Sequence, residues 1–175
     1  MIARVTPGVP RGTAAAPPSK SMAHRLLLCA GLCPGETSRV RGVAPSQDVL
    51  ATIECLQAFG CGVERDGEDL LVTGGDVFRG PEGPLVWRES GSTLRFCIPL
   101  ALLSGRRARF TGWGRLMERP QGVYADLCRE RGLLFKQDGQ SVTVKGPLTP
   151  GTYRLTGSVS SQFISGLLFA LPLLG

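Results

Sequence analysis

Three pairs of glycines stand at one interval in this chain: Gly60 and Gly132, Gly67 and Gly139, Gly74 and Gly146 are each 72 residues apart. The same order of signals surrounds each set, namely a helical stretch stopped by glycine, a strand, an Asp-Gly turn and a second strand. Residues 56–74 follow it, and residues 127–146 follow it again. The segments ahead match as well, since residues 21–32 resemble residues 91–103, with Arg25 and Arg95 70 residues apart. A third member begins at residues 157–170. A repeat of this length means one supersecondary unit that buries its apolar face against its neighbours. The unit reads as a polar-started buried helix, a strand near residues 39–43, an amphipathic helix over about 47–59, and a hairpin ending at Gly74. The expected fold class is therefore α/β, with two units plus the start of a third, buried helices and small sheets around them. The third unit lacks its hairpin, which predicts a partial protein. Pro99 inside the second buried segment predicts a kink or a break.

The first unit opens on Pro17-Pro18-Ser19-Lys20-Ser21. Proline is excluded from a helix interior, so the helix starts after Pro18 with Ser19 as its cap, and Cys33-Pro34-Gly35 ends it. Ser21 and Arg25 lie one turn apart on one face, while Leu26, Leu27, Cys29 and Ala30 are expected in a core. Lys20 in the first turn opposes the helix dipole. That placement makes sense if an anion binds there, held by free backbone N–H groups, Lys20 and Arg25. A solvated basic face is the alternative. No glycine lies between Gly12 and Gly31, so Ser19-Lys20-Ser21 is not a phosphate-binding P-loop.

Repeated units packed about a common axis bring equivalent helix starts together. Here these carry Lys20-Ser21, Gly91-Ser92 and Ser160-Ser161-Gln162. They would form a nest of N–H groups, hydroxyls and one amide, with Arg25 suited to a planar carboxylate. Serine and glycine at helix starts are also ordinary caps; three in register favour a binding site. A fourth stretch, residues 112–120, holds Arg115 and Arg119 with Glu118 as the one nearby carboxylate, so that one arginine is left to face a ligand. Its lone Gly-x-Gly is too weak to mark a dinucleotide site. No metal cluster, nucleophile with histidine or carboxylate pair is visible, and no cofactor is called for.

Composition narrows the partners. Twenty Lys and Arg against fourteen Asp and Glu give +6, scattered rather than clustered, and aromatics are only 6%. This fits a small anionic molecule at least as well as nucleic acid, and the aromatic platforms on which bases stack are thin. The six cysteines form no Cys-x-x-Cys pair and several fall in apolar helical runs, which predicts buried free thiols and a reducing, cytoplasmic setting. The longest apolar runs, near residues 98–103 and 167–174, are too short to span a bilayer as a helix.

Four stretches together resemble the 5-enolpyruvylshikimate-3-phosphate synthase family. They are Pro18-Ser19-Lys20-Ser21 with Arg25, Glu89-Ser90-Gly91-Ser92-Thr93-Leu94-Arg95, Arg115-Leu116-Met117-Glu118-Arg119-Pro120, and Ser158-Val159-Ser160-Ser161-Gln162-Phe163. The resemblance implies the enolpyruvyl transferase fold, two domains each of three α/β units. On that basis residues 16–175 are an incomplete domain, and residues 1–15 a strand or hinge of the other one. It further implies transfer of the enolpyruvyl group of phosphoenolpyruvate to the 5-hydroxyl of shikimate 3-phosphate, with release of phosphate. Lys20 and Gln162 would contact both substrates; Ser21, Arg25, Ser160 and Ser161 shikimate 3-phosphate; and Gly91 and Arg119 phosphoenolpyruvate. Ser92 stands where the family commonly has threonine. Lys20 is the catalytic candidate through charge stabilisation, the acid and base groups being expected beyond Gly175, in a missing C-terminal half. His24 stands where asparagine is common, and Glu89-Ser90 where Asn-Ala is common, so that Glu89 brings a carboxylate near an anion site. UDP-N-acetylglucosamine enolpyruvyl transferase is the alternative, although Lys20-Ser21 replaces its Lys-Asn. A non-catalytic fragment that binds a phosphorylated metabolite is the other.

Overall fold

The computed structural model describes residue 4 and residues 6–9, 11–83 and 85–175. The expected N-terminal segment, residues 1–15, lies partly outside these, and its described residues hold no helix or strand. The first unit comprises α1 (Lys20–Gly31), β1 (Thr37–Val40), α2 (Gln47–Ala58), β2 (Gly62–Asp66) and β3 (Asp69–Thr73). A two-residue strand, β4 (Leu85–Val86), leads into α3 (Gly91–Ala101), β5 (Arg107–Thr111), α4 (Gly122–Glu130), β6 (Leu134–Gln137) and β7 (Ser141–Lys145). The third unit contributes α5 (Ser161–Ala170).

The repeat is visible in the sheets. The first has the order β1-β3-β2, and the second β4-β5-β7-β6, so β5-β7-β6 repeats β1-β3-β2 with β4 added in parallel at the edge. The other strand pairings among the described residues are antiparallel. The paired glycines also do the same work in both copies. Gly60 and Gly132 end α2 and α4 at φ 81° and 67°, and Gly67 and Gly139 turn the hairpins at φ 62° and 76°, a region that costs a residue with a Cβ. Gly74 and Gly146 lie flat against the carbonyls of Cys33 and Leu102, where any Cβ would overlap.

The core sits between the sheets and the helices, with Leu27, Leu28, Leu56, Val72, Leu94, Phe96, Ile98, Phe110, Val144 and Phe163 fully buried. α3 is its centre, burying nine of its eleven residues, Pro99 among them. Of the kink or break expected at Pro99 no break occurs, since α3 runs unbroken through it. Proline there leaves the Arg95 carbonyl without its helical N–H donor, and the Tyr124 hydroxyl supplies one at 2.7 Å. Gly166 of α5 packs against the same spot.

Three local expectations need correcting. The first strand is Thr37–Val40 rather than residues 39–43, because Gly42 turns the chain at φ 65°. Leu26 and Cys29 are exposed, not in the core. The inner face of α1 follows 23/24, 27/28 and 30/31, which leaves 22, 26 and 29 outside. Of six free cysteines four are buried, Cys55, Cys61, Cys97 and Cys128, while Cys29 and Cys33 at the end of α1 are exposed. No helix among the described residues is long and apolar enough to cross a membrane.

Candidate functional site

The start of α1 is shaped by Ser19, whose Oγ accepts the Met22 N–H at 3.3 Å. Lys20 follows, exposed, and its ammonium pairs with the carboxylate of Asp48 in the first turn of α2. A carboxylate at that position also complements the dipole of α2. Arg25 folds back along its own helix, donating to Ser21 Oγ at 2.7 Å and to the Ser21 carbonyl at 2.9 Å. Its guanidinium carbon also lies 5.3 Å from the centre of the Phe96 ring on α3. Its other nitrogen donates to Ser165 Oγ on α5 at 3.4 Å, which ties the first helix start to the third.

The second start is capped by Ser90, which accepts from the Thr93 N–H at 3.4 Å. Gly91 follows, and a Cβ built on it would lie 2.8 Å from Nη1 of Arg119, so the guanidinium rests directly on this backbone. Arg119 comes from the turn after Leu116–Glu118, where Gln137 donates to the carbonyls of Met117 and Arg119 at 2.6 and 3.0 Å. Arg115 spends its charge on Glu118, at 2.8 Å, which leaves Arg119 to face Gly91. Ser92 accepts from Gln162 Nε2 at 2.8 Å, joining the second start to the third. Ser160 caps α5 through the Gln162 N–H at 3.3 Å, and Ser161 is its exposed first residue.

The expected residues thus fall into one linked group: Lys20, Ser21 and Arg25 from α1, Gly91 and Ser92 from α3, Ser161 and Gln162 from α5 with Ser160 as its cap, and Arg119 from the loop. Sequence reasoning missed two members. Asp48 neutralises Lys20, and Arg95 donates to Gln162 Oε1 at 2.8 Å. Burial and then the neighbouring Arg119 charge pull the Arg95 pKa below its ordinary value. The interval between Arg25 and Arg95 was the signal for Arg95, since it marks an equivalent position in the repeat. Glu89 has its carboxylate against the backbone of Gly114. Among the described residues no three His, Cys, Asp or Glu side chains gather as a metal site. What the arrangement offers is hydroxyls, an amide, helix-start N–H groups and four cations, chemistry suited to a small polyanion.

Comparison with known proteins decides between relatives of this fold. The family model described as EPSP synthase (3-phosphoshikimate 1-carboxyvinyltransferase) matches residues 6–175. The chain belongs to the EPSP synthase family. A 3-phosphoshikimate 1-carboxyvinyltransferase of Clostridium perfringens is 37% identical over 173 residues, covering 97% of this chain and 41% of that protein. One from Clostridium kluyveri is 41% identical over 172 residues, covering 97% of this chain and 40% of its own length. The chain therefore spans about two fifths of the curated relatives it matches. Among solved structures, EPSP synthase of Acinetobacter baumannii superposes with a TM-score of 0.75 at 24% identity, over 91% of this chain and 37% of that one. The shared architecture is thus the enolpyruvyl transferase fold of EPSP synthase.

Proposed function

We propose that the three linked helix starts are the shikimate 3-phosphate side of an EPSP synthase active site, with Arg119 and Gly91 forming a pocket for phosphoenolpyruvate. The observation that carries this reading is the bracing of the three helices, Arg25 bonding both Ser21 at the start of α1 and Ser165 within α5, and Gln162 bonding Ser92. Ordinary caps need no such ties, whereas a site that must hold hydroxyls and amides in fixed directions does.

In this reading Ser160, Ser161 and the backbone N–H groups of α5 receive the phosphate of shikimate 3-phosphate. Ser21, Arg25 and Gln162 hold the rest of that substrate. Lys20 and Arg119 bracket phosphoenolpyruvate. The 5-hydroxyl oxygen gives up its proton and adds to the enol carbon of phosphoenolpyruvate while a proton goes to the methylene carbon, and loss of phosphate together with one proton of the new methyl group then restores the double bond. Lys20 and Arg119 help by offsetting the repulsion of two crowded anions and the charge that grows on the departing phosphate. The proton donor and base belong in this proposal to a second domain, in keeping with the share of the relatives that the chain spans. A cytoplasmic setting is part of the same proposal.

Titration calorimetry of the 175-residue chain with shikimate 3-phosphate tests it. Weak, saturable, salt-sensitive binding that Ser161→Ala and Arg25→Ala both reduce is expected. Absence of saturable heat at millimolar ligand would count against the assignment.

A further inference from the structure

His24 is the chain's one histidine and is 2% exposed. It lies on the inner face of α1, between Lys20 and Arg25 in sequence, and no role in the proposed site falls to it. Its Nδ1 is 2.6 Å from Oγ1 of Thr52 on α2. Thr52 Oγ1 is 2.8 Å from Thr93 Oγ1 on α3, and Thr93 Oγ1 is 2.7 Å from Oγ of Ser90, the α3 cap. Both threonine hydroxyls also reach the Asp48 carbonyl oxygen, at 3.3 and 3.4 Å. His24, Thr52, Thr93 and Ser90 are all buried. A polar chain thus runs beneath the site from α1 through α2 to the start of α3.

Such a chain has a direction. Nε2 of His24 is buried with no partner. A buried N–H without an acceptor is rarer and dearer than an idle acceptor. The ring proton therefore belongs on Nδ1, donating to Thr52. Thr52 then donates onward to Thr93 or to the Asp48 carbonyl, and Thr93 donates to Ser90. The reverse direction would have Thr52 donate to Nδ1 and strand the N–H at Nε2.

We propose that His24, as the neutral Nδ1–H tautomer, is a positioning residue that fixes the Asp48 end of α2 and the Ser90 cap of α3, and through them the spacing of Lys20 and Gly91. The proposal rests on the anion site argued above. Asp48 carries the carboxylate that pairs with Lys20, and Ser90 precedes the glycine on which Arg119 rests. The charged groups acting on the ring are Asp48 on α2 and Lys20 and Arg25 on α1, while α3 presents the edge of the Phe96 ring at 6.4 Å. Burial holds the His24 pKa below its ordinary 6.5; Lys20 and Arg25 act in the same sense and Asp48 against it. The unfolded chain then binds the proton more readily than the folded one. The neutral ring's contribution is complete above about pH 6.5 and is lost as pH falls below it toward the folded value. A protonated ring would also carry an N–H at Nε2 with nothing to receive it.

A single histidine makes the test direct. Nitrogen-15 NMR of the imidazole in the whole 175-residue chain should show the proton on Nδ1 at pH 7.5, and a proton on Nε2 instead would overturn the proposal whatever the site binds. Calorimetry with inorganic sulfate, a dianion throughout the range, should give affinity about three- to tenfold weaker below the His24 pKa that the same NMR titration locates than at pH 7.5, at constant ionic strength, the scale of one hydrogen bond. His24→Asn retains an N–H donor without titrating, so it should bind near the wild-type level at pH 7.5 and show no acid loss. Thr93→Val, which keeps the shape and breaks the chain, should be weaker at both pH values. Sulfate binding equally dependent on pH in wild type and His24→Asn would refute the positioning role and leave the anion site standing. Absence of sulfate binding at either pH would remove the anion site itself, and with it the role assigned to His24.

Discussion

Arg95 on α3 donates from Nη1 to Oε1 of Gln162 on α5 at 2.8 Å, and this bond decides which way the Gln162 amide faces. With its oxygen held, Gln162 turns its NH₂ to Ser92, and Arg95 also lies 4.9 Å over the Phe163 ring. Replacing Arg95 with methionine keeps the bulk and frees the amide. Loss of a charge-assisted bond of this kind costs roughly 1.5–3 kcal/mol. Calorimetry with shikimate 3-phosphate should show Arg95→Met and Gln162→Met each weakening binding, and the double variant little worse than either. Additive losses would mean that the two side chains act apart.

Two glycines separate binding from stability. At Gly91 a Cβ would meet the flexible tip of Arg119 at 2.8 Å. Gly91→Ala should therefore fold, with a melting temperature at least equal to wild type because alanine is the better helix former by up to about 1 kcal/mol. Its affinity for phosphoenolpyruvate should fall as Arg119 is displaced. At Gly166 a Cβ would overlap the Tyr124 hydroxyl and the Arg95 carbonyl, the pair that lets α3 pass through Pro99. Gly166→Ala should cost about 1–3 kcal/mol, the range for overpacked cores, in a denaturant melt. Equal stability losses at the two sites would contradict this contact geometry.

These glycines mark how far sequence could reach. Gly60, Gly67 and Gly74 with their partners revealed the unit, because backbone positions that exclude a Cβ leave a residue type that can be read directly. Lys20, Gly91 and Gln162 were likewise legible as helix starts. Arg95, Asp48 and Thr93 were not, since each acts through a partner distant in the chain: Gln162, Lys20 and Thr52 respectively. Local patterns carry no record of such pairings. The donor that serves the Arg95 carbonyl beside Pro99 escaped for the same reason, Tyr124 being supplied by another helix.

The thiols should divide by exposure. Burial raises the Cys128 thiol to about 11, and it raises the buried Cys55 and Cys61 thiols as well. Cys55 Sγ lies 2.9 Å from Cys97 Sγ inside the α2–α3 contact, away from solvent. A thiol-specific chromogenic reagent at pH 8 should titrate two groups in the native chain, Cys29 and Cys33, and all six after denaturation. Cys29→Ser with Cys33→Ser should abolish the native signal. Rapid labelling of more than two would place Cys55, Cys97, Cys61 or Cys128 at the surface.

Lys20 and Asp48 form an ion pair with side chains 55% and 31% exposed. As a contribution to folding such a pair is worth about 0–1 kcal/mol, so Lys20→Met should scarcely alter the melting temperature. Binding is another matter. Removing the ammonium takes a cation from the ligand and also leaves the Asp48 carboxylate unopposed beside it. Like charges 4 Å apart repel by about 4 kcal/mol at an effective dielectric of 20 and by about 1 kcal/mol in water. Lys20→Met should therefore weaken phosphoenolpyruvate or sulfate binding by more than the loss of one favourable contact. Adding Asp48→Asn removes the repulsion while keeping the backbone carbonyl that Thr52 and Thr93 both reach. The double variant should recover part of the affinity at low salt, and the recovery should shrink as salt screens the charges. A double variant that binds no better than Lys20→Met would show that Asp48 does not face the anion, and would confine its role to anchoring the start of α2.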